Sequence, residues 1–166
     1  MLKKLMPKPA PFIVAFSLAV VLTMSPGYSA PSDRDFLVVS PEKIVWKDAG
    51  RGVKIAVIYG DPSKPGHYVI RAHFPPGVMS SPHFHGEDRH VTVIQGTWHA
   101  GKDDSWDPQA TEALKAGTYM YHPAGGVHYD GGGEEGAIVQ IIGMGPSKTT
   151  FLYPKEGDFG KPRKLN

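Results

Sequence analysis

Residues 77–96 read GVMSSPHFHGEDRHVTVIQG, and residues 117–128 read GTYMYHPAGGVH. In the first stretch a single residue separates His83 from His85. Side chains at i and i+2 of a strand point to the same face. Two imidazoles placed that way suit a divalent metal. The second stretch adds His128 after Pro123 and Gly125. A third imidazole from a distant strand would complete a facial site with positions left for water, substrate or oxygen. The glycines at 77, 96, 117 and 125 fit tight turns, where a positive φ costs them little. Pro123 suits a strand end that needs no ladder donor.

Working outward, the chain alternates short β-rich runs with turn chemistry. The expected strands are Phe36–Val39, Ile44–Trp46, Lys54–Tyr59, Tyr68–Phe74, His90–Gln95, Thr97–His99, Thr118–Tyr121, Ala137–Ile142 and Thr150–Tyr153. Breaks fall at Asp61–Gly66, Pro75–Gly77, Gly101–Pro108 and Gly131–Gly133, and Gly131–Gly136 reads as a flexible turn. Only Gln109–Lys115 suggests a helical turn. With 20 glycines and 16 prolines in 166 residues, long helices have little room. The pattern predicts one all-β sandwich or barrel.

Composition removes several function classes. The chain has no cysteine, which excludes disulfides, thiolate metal sites, a Cys nucleophile and a lipoprotein anchor. No G-x-S-x-G stretch supplies a serine nucleophile. The formal charge of +2 is carried by Lys3, Lys4 and Lys8, because from residue 31 onward 15 basic residues face 16 acidic ones. Nothing in that balance points to nucleic acid. The first thirty residues run from a basic segment through an apolar stretch, Phe12–Met24, to SPGYSA. This is the layout of a secretory signal peptide, too short to span a bilayer, which takes about 20 apolar residues. The expected organisation is therefore a signal peptide over 1–30 and one domain over 31–166. The expected location is a bacterial periplasm or the exterior, with no stable membrane anchor after cleavage.

Together the two quoted stretches resemble the cupin boxes, G-x5-H-x-H-x3,4-E-x6-G and G-x5-P-x-G-x2-H-x3-N. The resemblance covers about residues 65–145. It implies a single antiparallel jelly-roll β-barrel holding one divalent metal ion on His83, His85 and His128. Two positions depart from the pattern: Gly132 stands for the final Asn, and Arg89 stands for the Glu of the first box. A guanidinium stays charged and cannot ligate.

Three readings of Arg89 are open. It orients an anionic substrate beside a three-histidine site, as the resemblance to the cysteine and acetylacetone-cleaving dioxygenase branches implies. Or the pairing shifts and His90, or else Glu87, becomes a fourth ligand, although strand parity opposes His90. Or Arg89 forms an ion pair with Glu87, Asp88 or another acid. Tyr119, Tyr121 and Gln140 are candidates to line the pocket, while His73, His99 and His122 are expected to face solvent or backbone. Trp98 and Trp106 read as lid or interface aromatics, or as ordinary packing. The expected function is that of a metalloenzyme, with Fe(II) favoured and Zn, Mn or Ni as other occupants, acting on a small anionic or chelating organic molecule. The alternative is a metal-dependent binding or sensing module without turnover. The fold-level resemblance also implies a homodimer.

Overall fold

The computed structural model describes residues 36–161; the leader read at 1–30 lies outside the described residues. By its internal contacts the chain divides into Met1–Leu37 and Val38–Asn166, and every element below belongs to the second unit. Among the described residues no helix is long and apolar enough to cross a membrane.

The strands are β1 (Lys47–Gly50), β2 (Val53–Tyr59), β3 (Gly66–Phe74), β4 (Met79–Ser80), β5 (His83–His85), β6 (Arg89–Gly101), β7 (Glu112–Lys115), β8 (Tyr119–His122), β9 (Tyr129–Gly145), β10 (Thr149–Phe151) and β11 (Phe159–Gly160). Antiparallel pairing gives the order β1-β2-β3-β9-β4-β11, with β6 joined to β9, β7 and β8, and a separate β5-β10 ribbon. This is the antiparallel jelly-roll barrel that the sequence predicts. It uses more chain than residues 65–145, since β1 and β2 extend the sheet and β10 and β11 pair with β5 and β4.

Alternation sets the core. Tyr68, Ile70, Ala72 and Phe74 of β3, Val91 and Val93 of β6, and Ala137, Val139 and Ile141 of β9 all turn inward and form one buried cluster. Cross-strand register then lines up residues that are far apart in sequence. Tyr68 opposes Gly143, Gly143 opposes Arg89, and Arg89 opposes His122. A Cβ on Gly143 would lie 2.3 Å from the Tyr68 hydroxyl. The bare glycine is what lets Tyr68 reach across its neighbour strand.

Several expected boundaries need correction. Phe36–Val39 and Ile44–Trp46 form no ladder; a 3-10 turn at Pro41–Lys43 separates them and the first strand begins at Lys47. His90–Gln95 and Thr97–His99 are one strand, bent where the register shifts near Gly96. The helical turn shrinks to Pro108–Ala110, capped by the Asp107 side chain, and Glu112–Lys115 is a strand. Gly131–Gly136 is not a turn: it lies within β9. A Cβ on Gly131 would sit 2.3 Å from the Val78 carbonyl oxygen. These glycines allow two backbones to pack face to face, which a composition-based reading mistakes for flexibility.

Candidate metal centre

His83 and His85 are buried on β5, with Phe84 turned the other way. His128 joins them through the backbone. The His83 amide donates to the His128 carbonyl at 2.8 Å, and the His128 amide donates back to the His83 carbonyl at 2.9 Å. Two further bonds fasten the second-box loop: the Gly125 amide donates to the His85 carbonyl and the Ala124 amide to Asp88 Oδ1, both at 2.8 Å. The three rings converge, with centroids 4.3–5.1 Å apart. One ring nitrogen from each lies within 4.8 Å of the other two.

Hydrogen bonding fixes which nitrogen is offered. His83 Nδ1–H donates to the Ser81 carbonyl at 2.8 Å, and His128 Nδ1–H donates to the Gly126 carbonyl at 2.9 Å. A carbonyl only accepts, so each neutral ring leaves Nε2 as its lone-pair atom. His85 Nε2 accepts from Arg89 Nη1 at 3.0 Å, which places the His85 proton on Nδ1, 3.2 Å from Thr149 Oγ1. Burial, then the neighbouring His128, lowers His83 to about 4. Burial, then the Arg89 guanidinium, holds His85 far below the usual imidazole range. Neutral imidazoles, oriented by Nδ1–H bonds, are the form that ligates a metal. His128 Nε2 is buried with no partner. That orphaned lone pair between two similar rings fits a divalent ion, and the donor set is compatible with Fe, Zn, Mn or Ni.

Arg89 lies inward on β6 and is buried, as parity predicts. Its Nε donates to Glu87 Oε1 at 3.0 Å, Nη2 lies 3.0 Å from the same oxygen, and Nη2 also donates to Ser147 Oγ at 2.6 Å. The Tyr68 hydroxyl donates to Glu87 Oε1 at 2.9 Å. Burial alone would raise the Glu87 carboxyl, but bonds from Ser147, Arg89 and Tyr68 hold it below its ordinary value. Of the three readings, the structure displays the ion pair with Glu87, together with a contact to His85 that no reading anticipated. Glu87 is thus engaged by Arg89 and Tyr68, and it is not among the residues brought to the histidine cluster.

Of the remaining candidates, His90 and Gln140 face away from the cluster. His90 is exposed on the outer face of β6, hydrogen-bonded to Tyr119 at 2.7 Å, so it is not brought to the histidine cluster, in line with strand parity. Gln140 also faces outward and accepts from Arg71 Nε at 3.1 Å. Tyr119 and Tyr121 are largely exposed. They line a groove of about 650 Å³ beside β7 and β8 that also reaches His122 and His128. Trp98 and Trp106 are buried in ordinary packing.

His122, expected to face solvent or backbone, is instead 4% exposed and packed among aromatic rings. It stacks on Trp98 and lies 4.0 Å, ring to ring, from His128. Burial, then His128, lowers it to about 3, and its Nε2 has no partner. The signal for it was the alternation of β8: if Tyr119 and Tyr121 face out, Met120 and His122 face in. The interior cavity above the cluster measures about 520 Å³. Its floor is formed by the histidines, Arg89, Ser147 and Asp130, and its walls by apolar side chains including Ile55, Ile70, Phe74, Ile141 and Phe159.

A profile of the ChrR Cupin-like domain matches residues 34–147. The chain belongs to this cupin family. Solved structures share the cupin fold at low identity. KdgF from Halomonas sp. is 18% identical, with 66% of this chain and 94% of that one covered and a TM-score of 0.54. The polyketide cyclase RemF from Streptomyces resistomycificus is 16% identical over 71% and 87%, TM-score 0.58. A cupin-like protein of unknown function from Ralstonia eutropha JMP134 is 25% identical over 70% and 77%, TM-score 0.55. None of the curated proteins matches the chain. At these identities the likeness establishes the barrel, and the chemistry of this cupin rests on its own side chains.

Proposed function

We propose that this cupin is an exported, mononuclear non-haem metalloenzyme, with Fe(II) as the favoured ion, that acts as a dioxygenase on a small anionic or chelating organic molecule. The observation that carries this reading is the set of three Nε2 donors on the floor of an apolar-walled cavity. His83, His85 and His128 would hold the ion. When bound, it supplies Lewis acidity and, as Fe(II), a redox centre open to dioxygen. Three neutral imidazoles contribute no negative charge, so the site favours a ligand that brings its own. The apolar walls shield that ligand from water and strengthen its electrostatic contacts. His122, beside His128, offers a polar atom within an otherwise apolar wall.

Export is inferred from the leader pattern at 1–30. Exposed Ile142, Met144, Tyr119 and Tyr121 on the outer sheet face supply apolar surface for a homodimer. The reading is tested by metal analysis of protein isolated without a His tag, followed by oxygen uptake with small diketones, thiols and hydroxy acids. About one equivalent of iron and substrate-dependent oxygen consumption are expected. Zinc in place of iron, with no uptake for any compound, favours a binding or sensing module.

A further inference from the structure

The Arg89 guanidinium sits against the very nitrogen that a metal needs. His85 Nε2 has one lone pair, and it is spent on Arg89 Nη1 at 3.0 Å. The same lone pair cannot serve an ion and the guanidinium together. Metal uptake at His85 therefore releases Nη1. The rest of Arg89 stays anchored, because Nε and Nη2 are held by Glu87 and Ser147. Glu87 in turn is held by Tyr68, and the Lys148 amide lies 3.4 Å from its Oε2.

A released Nη1 is a buried, charge-bearing donor with no bond. Two carboxylates line the cavity, Asp130 and Asp158, and Arg89 pairs with neither, its ion pair being with Glu87. Asp130 Oδ1 is already taken by Ser80 Oγ at 2.6 Å. The simplest acceptor is an oxygen of a bound anion.

We propose that Arg89 couples metal and anion binding in this site: it occupies His85 when the metal is absent, and on metal uptake its freed Nη1 receives a carboxylate or enolate oxygen. Arg89 is thus a positioning residue that makes metal affinity depend on the anion, and the anion's affinity depend on the metal by the same factor. The inference rests on the reading of the three histidines as metal ligands. It assigns the ligand class as singly charged oxyanions able to share the cavity floor with the ion.

The experiment uses Co(II), with acetate as the anion, and metal affinity is read by competition with a chromophoric chelator. In the wild-type protein, saturating acetate should tighten Co(II) binding, with no variant needed for that measurement. In a Glu87→Gln/Arg89→Gln double variant, which removes both members of the pair and strands no buried charge, two changes are expected. Co(II) affinity without acetate should rise at least about 10-fold, and the acetate-dependent gain should fall at least about 10-fold below that of the wild type. The proposal is overturned if the wild type binds Co(II) equally with and without acetate. It is also overturned if a folded double variant, checked by circular dichroism, shows unchanged metal affinity or the same acetate gain. Co(II) binding without coupling sinks the Arg89 inference alone. No Co(II) binding under any condition sinks the metal reading and the inference with it.

Discussion

His83 and His128 exchange both of their backbone hydrogen bonds, at 2.8 and 2.9 Å, although one stands in the first histidine stretch and the other in the second. Each ring is then anchored through Nδ1 on the carbonyl two residues before it, Ser81 and Gly126. Ring placement and tautomer are thus set by main chain, independently of any ion. His128→Ala should consequently leave the barrel intact while removing one donor. Its Co(II) or Zn(II) affinity is expected to fall by at least about 100-fold, since even outer-shell partners are worth roughly 10–100-fold. A bound metal stabilises the fold by mass action, by about 4 kcal/mol at a thousandfold excess over Kd, and so raises the melting temperature. That rise should appear in wild type and vanish in the variant, as scanning calorimetry with and without metal would reveal.

The buried histidines make an unusual pH dependence. Folded His83 titrates at about 4 and His122 at about 3, whereas unfolded histidine titrates near 6.5. The unfolded chain takes up these protons first, so stability is fully present above about pH 6.5 and declines as pH falls towards the folded values. Each group contributes roughly 1.4 kcal/mol per pH unit within that window. Urea midpoints of the metal-free protein at pH 7, 6 and 5 should drop steadily, before ordinary carboxylates begin to titrate. His122→Phe should make the slope shallower by about one proton. A flat profile between pH 7 and 5 would refute the assignment of neutral, buried imidazoles.

Much of this was legible in the sequence, and the rest depended on register. His83 and His85 share a face because a strand alternates, which is a local rule. Arg89 could be placed inward by the same parity. Its partner could not be chosen, because Glu87 and Asp88 lie in a turn whose shape comes from the β5–β10 and β6–β9 ladders. His122 was missed because Tyr-Met-Tyr-His alternates without a clear apolar face: tyrosine tolerates the wet side, and methionine and histidine tolerate the dry one. Only its pairing opposite Arg89 decides the matter. The glycines of β9 look like a turn by composition, and they become strand because they pair with Trp98 and His99 of β6 and with the 75–79 segment.

Below the cluster, Ser80 supports Asp130 twice. Its Oγ donates to Asp130 Oδ1 at 2.6 Å and accepts from the Asp130 amide at 2.9 Å, with both residues buried. Ser80→Ala leaves a buried carboxylate oxygen and a buried N–H without that partner. Each loss carries about 1–3 kcal/mol, with more for the charged group. A destabilisation of about 3 kcal/mol is expected by urea titration at neutral pH. A loss below about 1 kcal/mol would mean that water replaces the hydroxyl.

Gly143 controls the approach of Tyr68 to Glu87 across β9. In Gly143→Ala the new methyl would fall 2.3 Å from the Tyr68 oxygen and 2.5 Å from its Cζ. The ring must move, and with it goes the 2.9 Å bond to Glu87. Overpacking costs about 1–3 kcal/mol, and a hydrogen bond to a charged group is worth about 1.5–3 kcal/mol, so a total near 3 kcal/mol is expected. Tyr68→Phe removes only the hydroxyl and should cost about half as much. In the double variant the two effects should fall short of additivity, because the hydrogen bond can be lost only once. A double-mutant cycle by denaturant unfolding measures that shortfall. Strict additivity would show that Gly143 acts through the backbone alone and does not hold the Tyr68–Glu87–Arg89 chain in place.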